Sequence, residues 1–360
     1  MCVPSIEEAY SLRVPKRDGE KAIKLVSKMG LFNNELKIES KGEYLYIPLI
    51  WKPLPSEIEE IRRILKYFRI YVRNFQRRRK APRRAFEVAA ENLPSHLLAS
   101  FPRSMDIIGE VAVVEIPSEL EKYKRVVGES ILESHKRVHT VLAKASAVSG
   151  VKRLREYEVI AGLGETETVH REHGCVYHLD VRRVYFSPRL SYEHKRIASQ
   201  VREGETVIDM FAGIGSFSIL IAKMHNRVKI YAIDINPDAV KYLKRNIVAN
   251  GVLDKVTPLL GDAGEIIRRS LRETADRIIM NLPEKALEYV KVACEAIRPE
   301  GGIIHFYSFN GGRDPIDQAE EMLRRAVAEA GRRLSHVLSA RRVREVAPGR
   351  WQVVVDASVD

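Results

Sequence analysis

The chain has 360 residues, 45% of them hydrophobic, so it is long enough to bury the cores of two or three domains. Its formal net charge of +12 predicts a polyanionic partner such as a nucleic acid, with a merely soluble basic surface as the alternative. The 3 cysteines lie far apart without a Cys-x-x-Cys pair, which excludes a disulfide framework and a zinc-binding motif and favours a reducing cytoplasm. No apolar run approaches the roughly 20 residues that cross a bilayer, so we expect a cytoplasmic protein without a membrane partner.

Residues 1–60 are predicted to form a small N-terminal α+β domain. Asp18 can cap a helix in which Ile23 and Val26 fall at helical spacing, and Gly30 would end that helix. Residues 43–49 alternate tyrosines with aliphatic side chains, which is typical of a strand. A domain this small shows no active-site residues, so we expect it to dock a partner.

A basic linker is predicted at residues 61–92. The stretch from Arg62 to Arg84 contains eleven Lys or Arg residues and no acidic residue, and aromatic residues are interleaved with them. Like charges at this density repel one another in a free chain. Two interpretations stay open: a solvated, partly helical linker, or a segment that contacts phosphates and becomes ordered on RNA, with its aromatic rings stacking on bases.

A middle α+β domain is predicted at residues 93–194. A strand-like run at 105–117 precedes a helix at 118–136 that Ser118 can cap. Further strands are predicted at 140–144, 153–161, 168–170 and 176–179. His170 and His173 lie at a predicted hairpin turn, so we interpret them as ordinary hairpin residues and predict no metal site.

Residues 195–360 alternate strand and helix signals, which predicts an α/β, doubly wound, Rossmann-like sheet. A helix at 314–330 then leads into strand signals that fit a terminal antiparallel hairpin. The five predicted parallel strands lie at 206–208, 229–234, 256–260, 277–280 and 302–307. Ligands of such sheets bind at the C-terminal ends of the parallel strands.

The turn from Asp209 to Ser218 joins the first of these strands to a helix and contains Gly213 and Gly215. Glycines let a backbone approach a nucleotide closely, although a lone Gly-x-Gly turn is a weak signal. The Asp209 carboxylate would repel a pyrophosphate at the helix N-terminus. S-adenosylmethionine carries an ammonium and a sulfonium group but no phosphate, so the turn predicts a class I methyltransferase with that cofactor.

Polar residues also follow the next three strands. Asp234 is placed to bond the ribose hydroxyl groups of an adenosine ligand, and Asp262 to accept from the adenine amine. Asn281-Leu282-Pro283 follows the fourth strand, where Asn281 and Pro283 are expected to contact cofactor and substrate. The fourth residue is Glu284 rather than the aromatic of amino methyltransferases, which argues against methylation of an exocyclic amine.

Two more segments carry candidate substrate groups. The stretch from Tyr185 to His194 precedes the glycine turn and should cross the mouth of the site, where it offers an aromatic ring and the carboxylate of Glu193. Arg153 and Arg155 alternate on a predicted strand and offer guanidinium groups on one face. Periodicity alone would leave both sets as surface residues.

Taken together, the motifs resemble those of the archaeal and eukaryotic type of tRNA (guanine(37)-N1)-methyltransferase over nearly the whole chain. The matching segments, in the family's order, are 106–112, 153–156, 184–190, 209–213, 232–236 and 280–283. The resemblance implies a small domain that docks on the outer corner of a tRNA, a middle domain that helps to grip a flipped nucleotide, and the methyltransferase domain at 195–360.

The resemblance also implies roles for individual side chains. Glu193 would be the general base that takes the proton from guanine N1, and Arg153 would support the charge that builds on O6. Asn281 and Tyr185 would hold the flipped base, while Arg189 and Phe211 would line the cofactor cavity. His194 stands where many members have arginine, and we assign it with Arg155 to substrate binding.

Two other functions stay open. A wyosine-pathway transferase would act on the same tRNA position by aminocarboxypropyl transfer or by a second methylation, although Asn281-Leu282-Pro283 argues against the former. A non-catalytic tRNA-binding protein with a vestigial transferase domain is the other alternative. No stable protein partner is implied, so we expect a monomer.

Overall fold

A computed structural model describes residues 6–76, 84–146 and 155–360. The chain falls into two compact units, residues 1–83 and residues 84–360. In the parts that are described, no helix combines the length and the apolar character that a bilayer crossing requires.

The N-terminal unit is an antiparallel sheet packed by two helices. Its elements within residues 6–76 are β1 (Ile6–Pro15), α1 (Gly19–Lys28), β2 (Glu39–Lys41), β3 (Tyr44–Leu49), α2 (Pro55–Ile64) and β4 (Arg69–Gln76). The strand order is β2-β3-β1-β4. Helix α1 starts directly after Asp18 and is followed by Gly30 at a φ of +72°, as predicted, but the Asp18 side chain makes no capping hydrogen bond.

The predicted basic linker at 61–92 is wrong in its first part. Residues 69–76 form β4, an edge strand that pairs antiparallel with β1 over its whole length. Phe75 is fully buried, and Arg73, two residues earlier on the strand, pairs with Glu39 at 2.7 Å and lies 4.0 Å from the centroid of the Tyr46 ring. An acidic partner and an aromatic ring therefore accommodate this positive charge within a folded strand, and a charge count cannot detect this. Residues 77–83 lie outside the described residues.

The middle part of the second unit is a sheet of strand order β5-β6-β7-β8. Its elements are α3 (Ala85–Ala89), β5 (Met105–Ile108), β6 (Val111–Val114), α4 (Lys124–Ser134), β7 (Thr140–Lys144) and β8 (Tyr157–Gly162). The strand-like run at 105–117 is a hairpin that turns at Gly109, where φ is +58°. A Cβ there would lie 2.6 Å from the Val169 carbonyl oxygen, so only glycine fits.

A two-stranded ribbon follows, formed by β9 (Glu167–Glu172) and β10 (Cys175–Asp180) around the predicted His173-Gly174 turn. The prediction assigns it to the middle domain, yet it packs on the helix α7 (Pro237–Asn250) of the C-terminal sheet. The Asn246 side chain accepts from the amide of His178 at 2.7 Å and donates to its carbonyl at 3.1 Å. Asn250 bonds Val176 in the same way. The side-chain amides of the two asparagines thus satisfy backbone groups on one edge of β10.

The C-terminal sheet has the strand order β13-β12-β11-β14-β15-β17-β16, in which β17 points opposite to the other six strands. Its strands are β11 (Thr206–Asp209), β12 (Lys229–Asp234), β13 (Val256–Leu260), β14 (Arg277–Met280), β15 (Gly302–Gly311), β16 (Leu334–Ala347) and β17 (Arg350–Val359). The remaining helices are α5 (Ser191–Ala198), α6 (Ser216–Met224), α8 (Ala263–Ile266), α9 (Val290–Ala296) and α10 (Pro315–Glu329). This confirms the α/β class I methyltransferase fold and its terminal hairpin, in which β16 is one long strand.

Candidate active site

A cavity opens at the C-terminal ends of β11, β12, β13 and β14, where the loops of a doubly wound sheet meet. Its walls come from the loops after these strands and from the segment that precedes α5 and begins that helix. The predicted site residues that line it are Tyr185, His194, Phe211, Gly213, Asp234, Asp262 and Asn281. The structure thus brings together residues that are up to 96 positions apart, from Tyr185 to Asn281.

Asp234 ties the glycine turn to the second strand. Its Oδ2 accepts from the Gly213 amide at 2.7 Å, and its Oδ1 accepts from the Asn236 amide at 2.8 Å. Asn236 in turn caps α7 through the amide of Asp238. Gly215 does not line the cavity; at a φ of +94° it begins α6, and a Cβ there would lie 2.6 Å from Leu243. Gly215 therefore allows the chain to turn into α6 and does not line the ligand cavity.

Asp209 does not face the cavity, contrary to the prediction that its charge meets a cationic ligand. The side chain is fully buried, its Oδ2 accepts from Ser218 Oγ at 2.8 Å, and the Phe211 amide donates to the same carboxyl group. Its Oδ1 atom has no hydrogen-bond partner among the described residues. Burial raises the pKa of Asp209 to about 7, against the lowering effect of these two donors. The residue therefore anchors the turn from behind.

Two aromatic rings form one part of the cavity wall. The Phe211 and Tyr289 rings meet edge to face, with centroids 5.1 Å apart. The Asp262 Oδ2 atom accepts from the Tyr289 hydroxyl at 2.9 Å, and its Oδ1 accepts from the Glu265 amide and caps α8. Burial and the Asp262 carboxylate raise the pKa of Tyr289 to about 12, so the phenol stays a neutral donor. No motif in the sequence marks Tyr289, which belongs to a short 3-10 helix, Ala286–Tyr289.

A second, more polar cavity adjoins the first and shares Tyr185, Phe186, Ser187 and Glu284 with it. The basic residues that line it are Lys144, Arg155, Arg189, Arg344 and Arg350. Arg189 was expected at the cofactor and lies here instead, because it pairs with Asp106 of β5 at 2.6 Å. Arg155 lies in this cavity, as a substrate role requires, whereas Arg153 lies outside the described residues.

Glu193 is buried and does not line either of these two cavities. It is 1% exposed, and its Oε2 accepts from the Tyr307 hydroxyl at 2.9 Å and from Arg196 Nε at 3.0 Å. Its Oε1 lies 2.5 Å from an Arg341 guanidinium nitrogen, and the two groups form an ion pair. Oε1 has no hydrogen-bond partner among the described residues. Arg196 also pairs with buried Asp356. The carboxylate is thus fixed at Oε2 and approached at Oε1 by a partly exposed cation.

His194, which the sequence assigns to substrate binding, lines the first cavity and not the second. Its Nδ1 lies 2.7 Å from Glu172 Oε1, and its ring meets the Phe217 ring edge to face. Burial raises the pKa of Glu172, but the hydrogen bonds from His170 and His194 outweigh this and lower the pKa to about 2. Among the described residues, no group of three His, Cys, Asp or Glu side chains is placed to hold a metal ion.

Pro283 is buried beside the cavity without lining it, while Asn281 accepts from Gln352 Nε2 at 3.2 Å. Gln352 and Arg344, both from the terminal hairpin, are site residues that the sequence does not reveal. They lie far along the chain from Asn281 and Tyr185, and nothing in their local pattern marks them.

Comparison with known proteins agrees with this geometry. The TRM5/TYW2 methyltransferase domain family matches residues 168–335, the TYW2 N-terminal domain residues 86–166, and the tRNA methyltransferase 5 N-terminal domain residues 11–57. The tRNA (guanine(37)-N(1))-methyltransferase Trm5b of Pyrococcus abyssi is 39% identical over 97% of this chain and 98% of its own length. The chain belongs to the TRM5/TYW2 family of methyltransferases.

Two further members of this family bear on the acceptor. The solved complex of aTrm5 and tRNALeu has a TM-score of 0.76 and 31% identity, and it covers 97% of this chain and 99% of that one. The tRNA 4-demethylwyosine(37)-methyltransferase Taw21 of Saccharolobus solfataricus is 37% identical over 71% of this chain and 93% of its own length. The family resemblance is thereby confirmed, and the wyosine alternative has a named relative.

Asp209 makes the stability of the ligand-free protein depend on pH. Because its folded-state pKa is raised to about 7, its stabilising contribution is present below the unfolded value near 4 and is lost as the pH rises through about 7. Between pH 5 and pH 8 the parent should lose roughly 2 to 3 kcal/mol relative to Asp209→Asn by this linkage. Denaturant unfolding at both pH values measures the difference. The exposed Asp254→Asn control should show no such trend, and a parallel pH dependence of parent and Asp209→Asn would contradict the assignment.

Asp234→Asn should weaken S-adenosylmethionine binding by roughly tenfold to a hundredfold, because hydrogen bonds to a charged group contribute about 1.5–3 kcal/mol. Calorimetric titration of the cofactor measures the change. Asp238→Asn is the matched control: it lies four residues later, in the first turn of α7, and does not line the cavity. Equal affinities for Asp234→Asn and Asp238→Asn would show that Asp234 does not hold the cofactor.

Proposed function

We propose that this chain transfers a methyl group from S-adenosylmethionine to N1 of guanosine 37 of tRNA. The observation that carries the proposal is the shared wall of the two cavities: Tyr185 and Ser187 line both the glycine-turn cavity and the second cavity, which contains five basic side chains. A nucleotide held against the basic residues would therefore meet the cofactor. The near full-length similarity to Trm5b supports this choice of acceptor.

The first cavity suits S-adenosylmethionine. Asp234 is a carboxylate at the end of β12, where ribose hydroxyl groups of adenosine ligands are bound, and Phe211 with Tyr289 offers flat apolar walls to adenine. The Gly213 amide is engaged by Asp234, so that donor is not offered to a pyrophosphate. When bound, the cofactor supplies an electrophilic methyl group.

Proton removal falls to Glu193. Guanine N1 carries a proton at neutral pH, so a carboxylate must take it as the methyl group arrives. Tyr307 and Arg196 hold Oε2, which makes Oε1 the accepting atom. Arg341 lies against Oε1 with 31% of its side chain exposed, so it has to move aside when the base enters. Arg153 remains our proposed partner of guanine O6.

The base has to leave the anticodon stack to reach the site. Tyr185 and Asn281, on the two sides of the cavity mouth, are proposed to hold it, with Arg155 and Arg189 near its phosphates. We further propose that the chain acts as a cytoplasmic monomer and that Pro283 supports Asn281.

The N-terminal unit is proposed to dock the tRNA. A groove on this unit is lined by six basic side chains together with Tyr44, Tyr67 and Phe68. The basic residues are Arg13, Lys16, Arg17, Arg62, Lys66 and Arg69. Positive charge interleaved with aromatic rings is the composition of a nucleic-acid contact, since cations pair with phosphates and rings stack on bases.

The wyosine pathway supplies a second candidate function, favoured by the similarity to Taw21. A chain of this kind would methylate 4-demethylwyosine at the same tRNA position. The mass of the product formed on unmodified tRNA and on tRNA that carries 4-demethylwyosine separates the two activities.

Unmodified tRNA transcripts with guanosine or adenosine at position 37 test the acceptor. With labelled S-adenosylmethionine, we expect label only in the guanosine transcript, recovered as 1-methylguanosine, because adenine N1 carries no proton for Glu193 to remove. Equal labelling of both transcripts, or of neither, would refute the proposed function.

Glu193→Gln should lower the single-turnover rate at neutral pH by roughly a hundredfold to ten-thousandfold, the usual contribution of a general base. Cofactor affinity should persist, because Glu193 does not line the cofactor cavity. Glu129→Gln, an exposed position on α4, is the matched control. A Glu193→Gln protein with normal cofactor affinity and undiminished rate would remove Glu193 as the base.

A further inference from the structure

Four side chains form a continuous hydrogen-bonded chain between the base-gripping residues. Arg344 of β16 donates through Nη2 to the Tyr185 hydroxyl at 3.1 Å and through Nε to Gln352 Oε1 at 2.9 Å. Gln352 of β17 then donates through Nε2 to Asn281 Oδ1 at 3.2 Å. Gln352 is 1% exposed, so its amide has no access to bulk water. The terminal hairpin thus connects Tyr185 to Asn281.

Arg344 determines which group donates and which accepts in each of these hydrogen bonds. An arginine guanidinium only donates hydrogen bonds, so Gln352 has to turn its carbonyl oxygen toward Arg344 and its NH2 group toward Asn281. Asn281, which lines the first cavity, then accepts at Oδ1, so its NH2 group is the donor end of the amide. The orientation of the Asn281 amide follows from a residue 63 positions away, Arg344.

We propose that Gln352 is a specificity-determining positioning residue that fixes the Asn281 amide as a donor for the keto oxygen of the acceptor purine. Guanine has an acceptor, O6, where adenine has a donor amine, so a fixed donor favours guanine. Arg344 contributes by holding Gln352 and Tyr185 in one arrangement. The inference rests on the proposed function, because that function gives Asn281 its contact with the base.

Gln352→Glu tests the inference with almost no change of shape. A carboxylate keeps the acceptor for Arg344 but cannot donate to Asn281; it accepts from the Asn281 NH2 group instead and reverses that amide. We expect the single-turnover rate on a guanosine-37 transcript to fall about tenfold or more, the effect of one lost hydrogen bond to a developing charge. The dissociation constant for S-adenosylmethionine and the melting temperature should stay those of the parent.

Inosine at position 37 identifies the base atom. Inosine keeps O6 and the N1 proton but lacks the 2-amino group, so Gln352→Glu should slow both transcripts by the same factor. Gln352→Met, which removes polarity without adding a charge, should cost less because the Asn281 amide is then able to rotate. Gln318→Glu, an exposed position on α10, is the matched control and should retain the parent rate.

Three outcomes would overturn the inference: a fall of less than threefold in Gln352→Glu, a loss confined to the guanosine transcript, or a loss in both Gln352 variants that is matched by weaker cofactor binding. The last pattern would indicate a purely structural role. A parent protein that fails to methylate the guanosine transcript would instead refute the proposed function itself.

Discussion

The hydrogen bond from the Gly213 amide to Asp234 is the contact on which the site depends. It joins the turn after β11 to the end of β12, and Asp234 also orders the first residues before α7 through the Asn236 amide. One carboxylate therefore sets the spacing of two loops that form opposite walls of the cofactor cavity. Asp234 also lines that cavity. A ligand that forms a hydrogen bond with its carboxylate is therefore coupled to the conformation of the glycine turn.

The acceptor side is held by buried charge rather than by backbone geometry. Glu193 contacts Arg196 and Tyr307 inside the protein, and Arg196 contacts Asp356, which His305 Nδ1 approaches at 2.7 Å. Burial raises the pKa of Asp356, but His305 and Arg196 outweigh this and hold it well below its usual range. Buried charges of this kind need partners, since a lone one carries a large desolvation penalty. Strand β15 supplies Tyr307 and His305 to this cluster, and β17 supplies Asp356.

Most of the residues that the sequence assigns to the cofactor converge on one cavity, and the reason is physical. Parallel strands end at one edge, so polar residues directly after successive strands converge, and Asp234, Asp262 and Asn281 follow that rule. The rule does not say which way a side chain turns. Asp209 ends its strand in the same manner but points into the protein, where Ser218 and the Phe211 amide receive it. Side-chain direction depends on the turn that follows, and a motif does not encode it.

The acceptor side was less accessible from sequence. Arg189 lines the second cavity and His194 the first, the reverse of what the sequence led us to expect. Their partners, Asp106 and Glu172, come from other elements of the second unit. Arg344 and Gln352 could not be found at all, since a long basic strand and its neighbour have no local pattern that marks contacts with Tyr185 and Asn281. Contacts between distant segments follow from the fold and not from spacing.

This difference between the two sides has a consequence for the family. The cofactor cavity is built from loops that follow successive strands, so it can be preserved whenever the sheet is preserved. The second cavity depends on individual side chains of the terminal hairpin and of the segment before α5, such as Arg344 and Tyr185. Under the proposed function, a few substitutions there would alter the accepted base without disturbing the binding of the methyl donor. Relatives named for different reactions at tRNA position 37, as Trm5b and Taw21 are, fit that division of the fold.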